Sequence, residues 1–231
     1  MKVNKRHKYS YLLGKSAKID KSDKYTDFTN YVMYLAPSDV SGVDVCPNAS
    51  DGCRCACLFT SGRGRFNSTK QARIRRTWHY LEDRNGFMKN LEKEVSRIVK
   101  RDERVAIRCN GTSDISWTAF IRKMHKMYSD IMWYDYTKNP RIALRSLTMP
   151  YYHVTFSRSE SNWDECVKML SKGINVAAVF DKLPKTYEGY DVINGDETDA
   201  RFLDAQGIIV GLLAKGDAKK DDSGFVIKTT T

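Results

Sequence analysis

Four of the chain's six cysteines fall between Val45 and Phe66, as Cys46, Cys53, Cys55 and Cys57 in the spacing C-x6-C-x-C-x-C. The same stretch carries Pro47, Gly52, Gly62 and Gly64, which suit a tight, irregular path. Thiols crowded into such a loop suit a soft metal ion or an iron–sulfur cluster better than a hydrophobic core.

Nothing requires those cysteines as staples. A chain of 231 residues is long enough to bury a core of its own. The N-terminus, M-K-V-N-K-R-H-K-Y-S, is basic and lacks an apolar leader segment, so no secretory signal is expected. That favours a reducing cytosol, where clustered thiols are metal ligands or redox groups more often than disulfides. A pair of disulfides within the loop is the alternative. No apolar run approaches the roughly 18 residues of a membrane span, and none is expected.

Hydrophobic periodicity sets the rest. Residues 1–24 are Lys-rich and are expected as an arm, 25–216 as one domain, and 217–231 as a polar tail. A first strand is expected at 31–35, with the cysteine loop after it. Ser68-Thr69-Lys70-Gln71 reads as a capping box opening a helix that Asp83-Arg84-Asn85-Gly86 ends. A second helix carries Met88, Leu91, Val95, Ile98 and Val99 in one stripe. Strands are then expected at 105–109, 131–136, 152–156 and 175–180. Helices separate them, marked by Phe120 and Met124, by Pro140, and by Trp163 and Cys166. Strands at 190–193 and 208–213 follow, and a short one at 225–227. Alternating strands and helices predict an α/β fold with a parallel sheet and right-handed crossovers, a partial or complete (β/α) barrel. Such folds bind ligands at the C-terminal ends of their strands. The cysteine loop, the Asn110–Asp114 turn, Thr137-Lys138 and Ser157-Arg158 all fall there.

Structural zinc sites present cysteines as C-x2-4-C pairs well separated in sequence. Here the pairs are C-x-C, and His79 or His125 would have to help complete a zinc site. His79 is expected at a surface or interface. A [4Fe-4S] cluster offers separate iron corners and accepts short, irregular spacings more readily. Cys46, Cys53 and Cys57 are the first three candidate ligands. Cys55 is a fourth ligand or a bystander, and Cys109, at a strand end, is another candidate. Cys166 is expected in helix packing.

Net charge is +11. From Arg54 to Arg76 there are seven basic residues and no acidic one. This positive field either balances a thiolate-rich cluster or contacts phosphates. Arg63 and Arg65, set among glycines, and Asp114, in the strand-end turn, are the candidate cofactor contacts. Nucleic acid is therefore one expected partner and a redox protein another. Asp196, Glu197, Asp199 and Asp204 are expected as helix-end carboxylates with one internal ion pair to Arg201, or else as a hard-cation or acid–base site. No serine carries a nucleophile motif with His125 or His153.

The placement of the loop after the first strand is similar to that in radical S-adenosylmethionine enzymes. Their C-x3-C-x2-C spacing is matched only in Cys53-x3-Cys57, and no Gly-Gly-Glu follows the second strand. Both departures count against S-adenosylmethionine. The chain also resembles a phage-encoded gene-product family. The resemblance rests on Cys46-Pro47, Gly52-Cys53, Cys57, Gly62-Arg63-Gly64, Ala72-Arg73, Asp199-Ala200-Arg201-Phe202-Leu203-Asp204 and Val210-Gly211-Leu212-Leu213-Ala214-Lys215-Gly216. It implies a viral protein of the bacterial host cytoplasm, with a barrel-like fold and an iron–sulfur cluster. Cys55 is extra to that pattern. The expected function is a [4Fe-4S] protein with a redox, electron-transfer or radical-type role. A zinc-thiolate nucleic-acid-binding protein for phage replication or host takeover is the alternative.

Overall fold

The computed structural model describes residues 11–229. Ten strands form one sheet: β1 (Leu13–Gly14), β2 (Thr29–Met33), β3 (Val105–Arg108), β4 (Met132–Thr137), β5 (Tyr152–Ser157), β6 (Val176–Phe180), β7 (Thr186–Tyr187), β8 (Tyr190–Asn194), β9 (Ile209–Leu213) and β10 (Val226–Ile227). Their order is β1-β2-β3-β4-β5-β6-β9-β8-β7, and β10 pairs with β6. Every pairing from β2 through β9 to β8 is parallel. Antiparallel β1 and β7 sit at the two ends and do not pair with each other. The sheet is open, the partial form of the expected barrel-like α/β fold.

Helices fill the crossovers: α1 (Ala17–Tyr25), α2 (Asp51–Cys55), α3 (Asn67–Glu82), α4 (Arg84–Arg101), α5 (Thr118–Met127), α6 (Pro140–Ser146) and α7 (Trp163–Leu170). In α4 the expected stripe buries Leu91, Val95 and Ile98. Phe87 joins them from the first turn, which Asp83 caps through Gly86 N–H at 2.9 Å. Alternation along β4 sorts its two faces. Trp133 meets Phe120 of α5 edge-on, with ring centroids 5.8 Å apart. Tyr134 points the other way, against Phe202. Phe202 belongs to a 3-10 turn, Arg201–Leu203, between β8 and β9. That turn lies against β4 and β5, with Arg201 fully buried. One face of the sheet is therefore an aromatic and aliphatic core under helices. The other is covered in part by a charged loop.

Three expectations change. From Leu12 the Lys-rich arm is folded: Ile19 of α1 is buried, and the Glu94 carboxylate accepts the N–H groups of Leu12 and Leu13. Its first ten residues lie outside those described. In the polar tail the expected short strand forms as β10, after a 3-10 turn (Gly216–Lys220); residues 230–231 lie outside those described. The capping box at Ser68 does not form. A 3-10 turn (Gly62–Arg65) feeds straight into α3, so Phe66 holds the N-cap position and Ser68 falls inside the helix. Finally, β2 ends at Met33, because Ala36 N–H goes to Thr77 Oγ1 and the Leu35 carbonyl to Thr112 Oγ1.

Candidate functional site

The cysteine loop leaves β2 and rises over the C-terminal ends of the strands. Its middle is a single helical turn, α2, capped by Ser50, whose hydroxyl accepts Cys53 N–H at 3.3 Å. Cys53 lies in α2 and Cys57 two residues past its end, before the 3-10 turn Leu58–Thr60; Cys55 between them is exposed. Cys46, Cys53 and Cys57 line one cavity of about 280 Å³. Cys55 is not in its wall. The opposite wall comes from the Asn110–Asp114 turn, Lys138 and Arg158, at the ends of β3, β4 and β5. The strand ends carry the site, as the fold class predicts.

Burial pushes the Cys46 thiol up to about 11, and the neighbouring charges of Cys57, Asp114 and Cys53 add to the rise. Ser38 N–H, 3.2 Å from its sulfur, acts against it. The Cys57 thiol is also raised, first by burial, although Phe59 N–H, Arg73 and Lys138 favour its thiolate. Both are thiols at neutral pH, and a metal that binds them must displace their protons. Among the described residues no group of three or more His, Cys, Asp or Glu side chains stands at the spacing of a metal-ion site.

The other candidates sort as follows. Asp114 lines the cavity; its carboxylate accepts the Thr137 hydroxyl at 2.5 Å and Lys138 N–H at 3.0 Å. Burial nevertheless raises its pKa. Arg63 and Arg65 are exposed on their 3-10 turn, outside the cavity wall. Cys109 is fully buried in the helix-side core and does not reach the cavity. Cys166 is packed in the same core. His79, expected near the surface, is buried with its ring 5.0 Å from Phe87, and His125 stacks on Tyr151. Neither histidine lines the cavity. Of the acidic cluster, Asp196 and Asp199 line the cavity, paired with Lys215 at 2.6 Å and Arg108 at 3.7 Å, and Asp204 makes the expected internal pair with Arg201 at 3.2 Å.

A family profile described as gene product 88 matches residues 8–229 of the chain. The chain belongs to the gene product 88 family. That agrees with the resemblance to a gene-product family, and the match spans all four loop cysteines and the whole cavity wall. No curated protein and no solved structure matches the chain. Among the described residues no helix is long and apolar enough to cross a membrane.

In this gene product 88 chain one residue that pattern reasoning missed supports the loop. Glu160, just past β5, accepts the Ser50 hydroxyl at 2.7 Å and Gly52 N–H at 3.0 Å. Burial raises its pKa, but the Ser50 hydroxyl, the N–H groups of Glu160 itself and Gly52, and the Arg158 charge together hold the carboxyl below its ordinary value. Gly52 also sits where a Cβ would meet Ser223, Phe225 and Glu160, all within 2.9 Å. The C-terminal strand and Glu160 thus clamp the turn that carries Cys53. Glu160→Ala is expected to cost about 1–2 kcal/mol in urea unfolding, the scale of a lost helix cap. Unchanged stability would show that the clamp carries no load.

Proposed function

We propose that this chain is an iron–sulfur protein that holds a [4Fe-4S] cluster on Cys46, Cys53 and Cys57 and serves a redox or radical-type role. On this proposal it is a viral protein that works in the bacterial host cytoplasm. One observation carries it: three thiols of the loop, and not the fourth, open onto a single cavity at the ends of parallel strands.

The loop spaces its cysteines C-x6-C-x-C-x-C, unlike the C-x2-4-C pairs usual at structural zinc. A cluster presents each thiol with its own iron, so short, irregular spacings and a cavity of about 280 Å³ suit it. When bound, such a cluster supplies one-electron chemistry.

The chain's own residues would hold and tune it. Cys46 and Cys57 give up their protons on loading, so loading is easier as pH rises. Arg73 and Lys138 favour the Cys57 thiolate and offset part of the negative charge of a thiolate-bound cluster. Ser38 N–H donates to the Cys46 sulfur and Phe59 N–H to that of Cys57, and such bonds tune reduction potential. Held by three thiols, the group would need one further ligand other than cysteine. S-adenosylmethionine is not part of the proposal, because the turn after β3 is Asn110-Gly111-Thr112-Ser113-Asp114. A redox partner is.

Protein purified without oxygen is expected to be brown and to carry about four irons and four sulfides per chain. A colourless protein with stoichiometric zinc would overturn the proposal and favour the zinc-thiolate alternative.

A further inference from the structure

The basic segment after the cysteines divides in two. Arg54 turns inward to Asp44 and Ser38. Arg73 lies over the rings of Tyr34 and Phe59, and Arg76 donates to the Tyr34 carbonyl. Arg63, Arg65, Lys70 and Arg75 remain exposed, without an ion-pair partner among the described residues.

A remote piece of chain extends that set. The turn Leu58–Thr60 packs on the 3-10 turn Gly216–Lys220. Asp217 N–H donates to Thr60 Oγ1 at 3.2 Å across 157 residues of sequence. Gly216, at φ +57°, lies so close that a Cβ would meet Thr60 Oγ1 at 2.7 Å. The contact sets the turn of exposed Lys219 and Lys220 against Leu58–Thr60, the turn that leads into Gly62–Arg65, with Asp217 on the lysine turn and Asp221 and Asp222 just after it. Phe66 stands 61% exposed where that turn enters α3.

We propose that this rim binds single-stranded nucleic acid, with Arg63, Arg65, Lys70, Lys219 and Lys220 on phosphates and a base stacked on Phe66. Charge complementarity calls for a polyanion. The scarcity of exposed apolar surface decides which kind. Leu58 and Phe66 are the large apolar side chains exposed on these turns, too few for the apolar centre of a stable protein interface. One exposed ring flanked by cations is what a base-stacking platform needs. Gly64 is buried where a Cβ would meet the Phe59 backbone, which seats the arginine turn on the turn before it. Cys57 immediately precedes the first turn, so a strand on the rim lies at the entrance to the thiol cavity. The surface needs no metal, and the proposal goes beyond the cluster reading without resting on it.

Fluorescence anisotropy with a labelled oligo-dT and the full chain, both metal-free and iron-loaded, tests this. Affinity should fall with salt at a log–log slope of about −3, for four to five phosphates on a single strand. Arg63→Glu/Arg65→Glu should weaken binding at least tenfold, and so should the milder Arg63→Gln/Arg65→Gln, with unchanged melting. Phe66→Ala should weaken it roughly tenfold and leave the slope as it was. Lys126→Glu, at the far end of α5, should change nothing. Equal affinity for polyglutamate would overturn the assignment, showing a general anionic or acidic-protein surface. So would no binding at low salt, or binding indifferent to both rim variants. A chain that takes up no iron yet still binds oligo-dT would sink the cluster proposal alone.

Discussion

Serine in place of Cys46, Cys53 or Cys57 is expected to leave less than about a tenth of the wild-type iron, whereas Cys55→Ser keeps it in full. The contrast follows from where the loop puts each sulfur. Cys53, in the single turn of α2, and Cys57, just before the turn Leu58–Thr60, line the cavity, whereas Cys55 at the end of α2 is exposed. Serine preserves side-chain shape but is a hard, weakly acidic donor, unsuited to iron held by thiolate. Replacing Cys46 or Cys57 swaps a part-buried thiol for a hydroxyl of similar size, so stability should move little, within about 1 kcal/mol. Iron and sulfide analysis of anaerobic samples, with circular dichroism as a fold control, separates ligand loss from misfolding. Cys109→Ser is the second control. Its sulfur is in the helix-side core, so it should cost stability and spare iron. Were Cys55→Ser to strip the iron while Cys57→Ser kept it, the cavity would be the wrong place for the cofactor.

The strands and most helices could be read from periodicity because their burial is one-sided or complete. The α4 stripe and the continuous apolar run of β6 are examples. The site was legible in its thiols and in its position after β2. Cys55 could have been set aside by noting that residues two apart face away from each other on a helical turn. Cys109 could have been placed by alternation: Arg108 lines the cavity, so the next residue faces the helices. What the sequence hid were features made by long-range contact. Glu160 looks like any loop carboxylate until the fold sets it 108 residues away against Gly52. Lys219 and Lys220 look like tail solubility until Gly216 packs on Thr60. The Lys-rich beginning hid strand β1 because three buried residues there, Leu12, Leu13 and Ile19, suffice to dock it.

A buried carboxylate beside the site gives the fold a pH dependence of large expected size. Asp135 of β4 is buried among the helix-side aromatics. Its carboxylate accepts Asn110 N–H at 2.7 Å and faces the Tyr152 hydroxyl at 3.2 Å. Burial pushes its pKa up to about 7, against the Asn110 and Tyr152 hydrogen bonds and the Arg108 charge. In the unfolded chain it titrates near 3.9. The folded state therefore holds this proton more tightly. The stabilisation is fully present below about pH 4 and is lost as pH rises through about 7. Roughly three pH units at about 1.4 kcal/mol each gives on the order of 4 kcal/mol. Asp135→Asn keeps an oxygen for Asn110 N–H and offers an N–H to the Tyr152 oxygen, with no charge to desolvate. Urea unfolding from pH 4 to pH 8 should show the wild type losing stability relative to the variant, which should be the more stable of the two at pH 8. Asp114, also raised by burial, is present in both proteins and its charge adds to the rise of Asp135, so the difference between the two profiles reports Asp135 together with that coupling. Parallel profiles would mean that the hydrogen bonds of the Asn110 turn already stabilise the ionised form, and that the turn forming the cavity wall is held by a charge.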